Sequence, residues 1–212
     1  MMRHALDEFA SYIDTRRDQV LENLDPKSVN AYVFLSKLFR ERDVSKDQEF
    51  QSAFRSFYRL NAAGLTDAFK TEYFRTLENL RGSETIDLKA LSGKFYLIPT
   101  RQGKNTLQFS FVTKLAHTVN VSYPIYDTEV AHAFEFTRPV SGNYQTRLNQ
   151  LLEFYEGLRE AYGAILKNRL MTQCILAFRT KFFAQAPQLD DVKVLDFIFW
   201  SAGKLIRKGQ LS

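Results

Sequence analysis

Residues 105–130 read NTLQFSFVTKLAHTVNVSYPIYDTEV, and the spacing within them decides the fold. At 100° per residue, Leu107, Phe109, Phe111, Val112, Leu115, Ala116 and Val119 gather on one broad apolar arc, which predicts an amphipathic helix over 104–120. The remaining arc holds Thr106, Ser110, Thr113, Lys114, His117 and Asn120, polar but without a carboxylate. The segment from Val121 to Pro124 ends that helix, and Asp127 then stands where an N-cap belongs, opening a second helix over 127–136.

The same alternation of 3.6-residue periodicity and punctuation runs outward along the chain. Asp25-Pro26 reads as an N-cap followed by proline at the first helical position, dividing a helix over 2–24 from one over 26–42. Further helices are predicted over 46–61, 65–81, 87–96, 143–167, 169–184 and 190–208, with breaks at Gly64, Gly82-Ser83, Pro99 to Gly103, Pro139 to Gly142 and Pro187. Phe95-Tyr96-Leu97-Ile98 is the one place for a short strand. The expectation is an all-α, single globular domain of about nine or ten helices, or two closely packed lobes, without internal repeats.

Composition narrows the class. With 212 residues, 45% of them hydrophobic and 14% aromatic, the chain can bury a sizeable core. No apolar run approaches the ~20 residues that span a bilayer, and the charged pattern of Met2 to Leu24 is unlike a signal peptide, so a cytoplasmic protein is expected. A single cysteine, Cys174, excludes an internal disulfide and a four-cysteine cluster, and its helical neighbours Leu170, Ile175 and Phe178 mark it as a packed core thiol. His4 and His132 lack metal-ligand spacing with any partner, so no metal and no cofactor are expected.

Charge is unevenly placed. The net charge is +5, and residues 88–126 carry five cations, Lys89, Lys94, Arg101, Lys104 and Lys114, without one carboxylate. Such a segment suits a phosphate-facing surface, unless carboxylates from elsewhere in the fold pair with it. On the last helix Val192, Leu195, Ile198, Phe199, Ala202, Leu205 and Ile206 form a core stripe, with Lys193, Phe197, Trp200, Lys204, Arg207 and Lys208 on the other side. Interleaved aromatics and cations can stack bases and hold phosphates; a helix this apolar all round is also one that packs. Lys94, Arg101, Lys104, Lys204, Arg207 and Lys208 are thus the candidate nucleic-acid contacts.

Lys114 sits at the polar edge of its helix beside Leu107 and Phe111, where partial desolvation and neighbouring Lys104 would lower its pKa. An amine nucleophile needs a group that handles protons, and Asp127, held rigidly as a cap, could supply one. Lys114 and Asp127 are therefore the candidate catalytic pair, with Ser110, His117 and Tyr126 as candidate substrate contacts. The bland alternatives are a snorkelling lysine and a purely structural cap.

A lysine on a helix, then a turn ending in Pro124-Ile125-Tyr126-Asp127, then Thr128-Glu129-Val130, resembles the lysine and aspartate motif of the helix-hairpin-helix DNA glycosylase superfamily, which includes endonuclease III and the 8-oxoguanine glycosylases. The likeness covers about residues 104–131. It implies an all-helical fold, DNA as partner, and a Schiff-base glycosylase or glycosylase/lyase in which Lys114 attacks the sugar C1′ of a flipped nucleotide and Asp127 activates it. Where that superfamily has a Gly-x-Gly hairpin, this chain has Thr106-Leu107-Gln108-Phe109-Ser110-Phe111, and its Lys–Asp separation is several residues shorter. The alternative function is a non-catalytic helical module that binds nucleic acid or a protein partner. An enzyme on a small metabolite is a third option, but the chain has no phosphate loop or nucleophile elbow to support it.

Overall fold

A computed structural model describes residues 3–211. Among the described residues there are eleven α-helices and no strand: α1 (Arg3–Thr15), α2 (Arg17–Glu22), α3 (Pro26–Glu41), α4 (Gln48–Phe57), α5 (Asp67–Asn79), α6 (Leu88–Tyr96), α7 (Phe109–Val119), α8 (Thr128–Ala133), α9 (Tyr144–Asn168), α10 (Thr172–Lys181) and α11 (Asp191–Arg207). A single 3-10 turn, Leu60–Ala63, follows α4.

Capping explains most of the starts. Asp25, Asp47, Thr66, Asp87, Asp127, Asn143 and Asp190 each accept backbone N–H groups of the following helix through their side chains. Each such cap contributes about 1 kcal/mol. Gly64, with φ +64°, adopts the left-handed conformation that closes the 3-10 turn.

Several boundaries differ from the periodicity reading. The first helix is two: Leu6, Ala10 and Ile13 are buried on α1, but the polar run Arg16-Arg17-Asp18-Gln19 offers the core nothing. The chain kinks at Arg16 (φ −104°, ψ 17°), and α2 then turns Val20 and Leu21 inward. The helix expected from residue 104 begins only at Phe109, because Gly103 takes φ +72° and Lys104 O accepts from both Thr100 N and Thr100 Oγ1. Phe95 and Tyr96 finish α6 rather than forming a strand. The eleven helices therefore exceed the nine or ten expected.

The last helix runs through the interior. Lys193 to Phe199 are all buried, as are Ser201, Ala202, Gly203 and Leu205. Helix α11 packs on α2, α8, α9 and α10, most extensively on α8. Of the two readings of Phe197, packing is the one observed: it stacks on Phe178 at 5.8 Å and meets the Tyr32 ring edge-on at 6.1 Å. Cys174 is fully buried, and burial pushes its thiol up to about 12. No helix is long and apolar enough to cross a membrane among the described residues.

Candidate active site

The connection from α7 to α8 is irregular backbone inside the protein, so its polar groups need partners. Buried side chains supply them residue by residue. Tyr123 O accepts from His117 Nδ1 (2.8 Å), and Pro124 O accepts from Tyr155 Oη (2.8 Å). Ile125 N donates to Asp196 Oδ1 (3.0 Å), and Tyr126 N donates to Thr113 Oγ1 (3.1 Å). Four successive residues are thus latched to α7, α9 and α11, and the next residue, Asp127, inherits a fixed position. Its Oδ1 accepts from Glu129 N and Val130 N, both at 3.0 Å, capping α8 as expected.

Lys114 and Asp127 line one cleft of about 660 Å³. That volume suits a small ligand or a single nucleotide. Lys114 Nζ donates to Ser110 Oγ at 2.9 Å, one helical turn back, and lies 5.3 Å and 5.7 Å from the ring centroids of Phe111 and Tyr58. It makes no ion pair among the described residues. Burial lowers the Lys114 pKa; the Asp127 charge opposes that shift, and the like charge of Arg59 adds to it. The second cation is therefore Arg59, held at φ +59° after α4, while Lys104 is exposed on the 100–104 turn.

The other expected site residues divide. Ser110, Lys204 and Arg207 line the same cleft. Arg207 is engaged there by Glu129, with two contacts of 3.0 Å, and Lys204 Nζ sits 5.1 Å from the Trp200 ring centroid. His117 and Tyr126 are buried beneath the cleft, outside its lining. Because a carbonyl oxygen only accepts, His117 Nδ1 carries the proton and Nε2 accepts from Tyr32 Oη at 3.0 Å. Burial holds this imidazole well below the usual histidine range, so it is neutral and structural. Thr113, placed with His117 on the polar arc, is likewise buried. Lys94 meets Glu72 Oε1 at 2.7 Å and Thr76 Oγ1 at 2.8 Å, so a carboxylate from α5 neutralises part of the acid-free segment. Arg101 and Lys208, like Lys104, are exposed.

Two further cleft residues form a buried pair that a wheel does not show. Lys193 and Asp196 lie at i and i+3 on α11, both 4% exposed, with Nζ 3.9 Å from Oδ2. Asp196 Oδ1 accepts from Ile125 N and from Tyr162 Oη (3.1 Å), whereas Oδ2 has no hydrogen bond. Burial pushes the Lys193 pKa down and the Asp196 pKa up. The signal available in the sequence is two opposite charges inside an otherwise apolar helical run.

Among the described residues no group of three or more histidine, cysteine, aspartate or glutamate side chains is placed to hold a metal ion. No protein family, curated protein or solved structure matches this chain.

Proposed function

We propose that the cleft receives a nucleotide extruded from DNA and that Lys114 acts on it as a Schiff-base nucleophile, making the protein a DNA glycosylase or glycosylase/lyase. The observation that carries this reading is the half-buried Lys114 amine, its pKa lowered by burial, and the capped Asp127 carboxylate on the walls of one nucleotide-sized cavity. An amine attacks only when unprotonated, and burial moves Lys114 toward that form. Its nitrogen bonds to C1′ as the glycosidic C–N bond breaks and the base departs with the bonding electrons. The attached nitrogen gives up a proton, the C1′–O4′ bond breaks with its electrons passing to O4′, which takes up a proton, and an iminium remains between Lys114 and C1′. The Asp127 carboxylate, lining the same cleft, stabilises the positive charge that develops on the sugar.

The likeness of residues 104–131 to the helix-hairpin-helix glycosylases, and the exposed cations Arg101, Lys104 and Lys208, support DNA as the partner. Borohydride trapping on duplexes with an abasic site or an oxidised base tests the reading. The wild-type chain is expected to become covalently linked and Lys114→Gln to lose the link. A folded wild-type chain that traps none of these duplexes leaves the non-catalytic binding module as the better description.

A further inference from the structure

Lys193 is buried without a hydrogen bond among the described residues. Its Nζ lies 4.5 Å and 4.6 Å from the ring centroids of Tyr32 and Phe197, and its nearest carboxylate oxygen, Asp196 Oδ2 at 3.9 Å, also lacks a hydrogen bond. An ammonium brings three donors, and among the described residues none of those on Lys193 meets a protein acceptor at hydrogen-bond distance. Both residues line the cleft that holds Lys114 and Asp127, so these donors are offered to whatever occupies that cleft, water or ligand.

Resting on the glycosylase reading, we infer that Lys193 is the general acid that protonates the departing nucleobase, with Asp196 as its positioning residue. When the Lys114 nitrogen bonds to C1′, the glycosidic electron pair goes to the base nitrogen. The Lys193 N–H bond breaks at the same stage and its proton passes to that nitrogen, so the base leaves neutral. Lys193, now an amine, regains a proton from water between turnovers.

The surroundings suit an acid that works near neutral pH. Burial lowers the Lys193 pKa to about 8, with Lys114 pushing the same way and Asp196 and Asp127 opposing. Tyr32 faces it from α3, and His117, whose own pKa the Lys193 charge depresses, faces it from α7. The acid form exists below that pKa, so base release should fall as pH rises through about 8.

The test compares two reactions of the full chain: release of base from duplexes carrying a single 8-oxoguanine, uracil or hypoxanthine, and borohydride trapping on an abasic duplex, where no base remains to protonate. Lys193→Met is expected to lower base release about 100-fold more than it lowers trapping. Asp196→Asn keeps an oxygen for Ile125 N–H but removes the charge that holds the Lys193 pKa up, so the descending limb of the pH profile should move to lower pH. Equal losses of release and trapping in Lys193→Met, or an unmoved limb in Asp196→Asn, overturn the acid role. Wild-type trapping without release of any of the three bases also overturns it, and leaves Lys114 standing. Absence of both activities overturns the two readings together.

Discussion

Gly203 of α11 faces Glu129 of α8 so closely that a Cβ at position 203 would lie 1.8 Å from the Glu129 carbonyl oxygen. This approach brings the helix carrying Lys193, Asp196 and Lys204 against the helix that Asp127 caps.

Gly203→Ala should therefore be destabilising despite alanine's higher helix propensity. The obstacle is backbone, which cannot rotate aside, so a loss at or above the upper end of the ~1–3 kcal/mol typical of overpacking is expected. Gly157, inside α9 with nothing near its Cβ position, serves as the control. There Gly→Ala should stabilise by roughly 0.5–1 kcal/mol. Urea unfolding of both variants checks the contrast, and a neutral Gly203→Ala would mean that α8 and α11 sit further apart.

His117 should remain a neutral Nδ1–H tautomer in the folded protein well below pH 6.5, where burial depresses its pKa. The sign for stability follows from linkage. The unfolded imidazole takes up a proton below about 6.5 and the folded one does not, so its contribution is fully present above that pH. It is then lost as pH falls from there toward the depressed folded value. Nitrogen-15 NMR of the ring resolves the tautomer directly, and an imidazolium signal in the folded state at pH 6 would refute the assignment.

DNA binding should weaken with salt as counterions are released. Charge reversal at Arg59 or Lys204, which line the cleft, should weaken it more than Lys94→Gln, because Lys94 is already engaged by Glu72. Fluorescence anisotropy with a labelled duplex at low and moderate salt measures both effects. Equal sensitivity at all three positions would mean that the cleft is not the DNA face.

The 105–130 stretch made the helical class and the Asp127 cap legible, because both depend on local spacing and cap chemistry. The start of α7 was not, since Leu107 continues the apolar arc while the Gly103 turn keeps residues 104–108 out of the helix. The candidate substrate-contact reading of His117 fails, and the packing reading of Phe197 holds, for one reason: α7 and α11 are covered on more than one side, and a wheel shows only which face is more polar. Lys193 reads as one cation of an outward face, and Asp196 goes unremarked, until α11 is known to be interior. The partner of Lys94 comes from α5, a tertiary contact that local sequence does not encode.

Asp127 has a capping role and a proposed catalytic one, and two substitutions separate them. Asp127→Asn should cost only a few tenths of a kcal/mol, because asparagine caps about as well, while Asp127→Ala should cost about 1 kcal/mol. Both should slow trapping strongly. If trapping tracks stability alone, with Asn indistinguishable from wild type, Asp127 is a cap and nothing more.

Locating the borohydride-stabilised adduct by peptide mass spectrometry, after reaction of the wild-type chain with an abasic duplex, puts the question to the cleft itself. The account expects the sugar remnant on Lys114, the amine that burial and Arg59 shift toward its neutral form in the cleft it shares with Asp127. An adduct on Lys193 or any other amine would contradict it, as would a folded protein that forms no adduct.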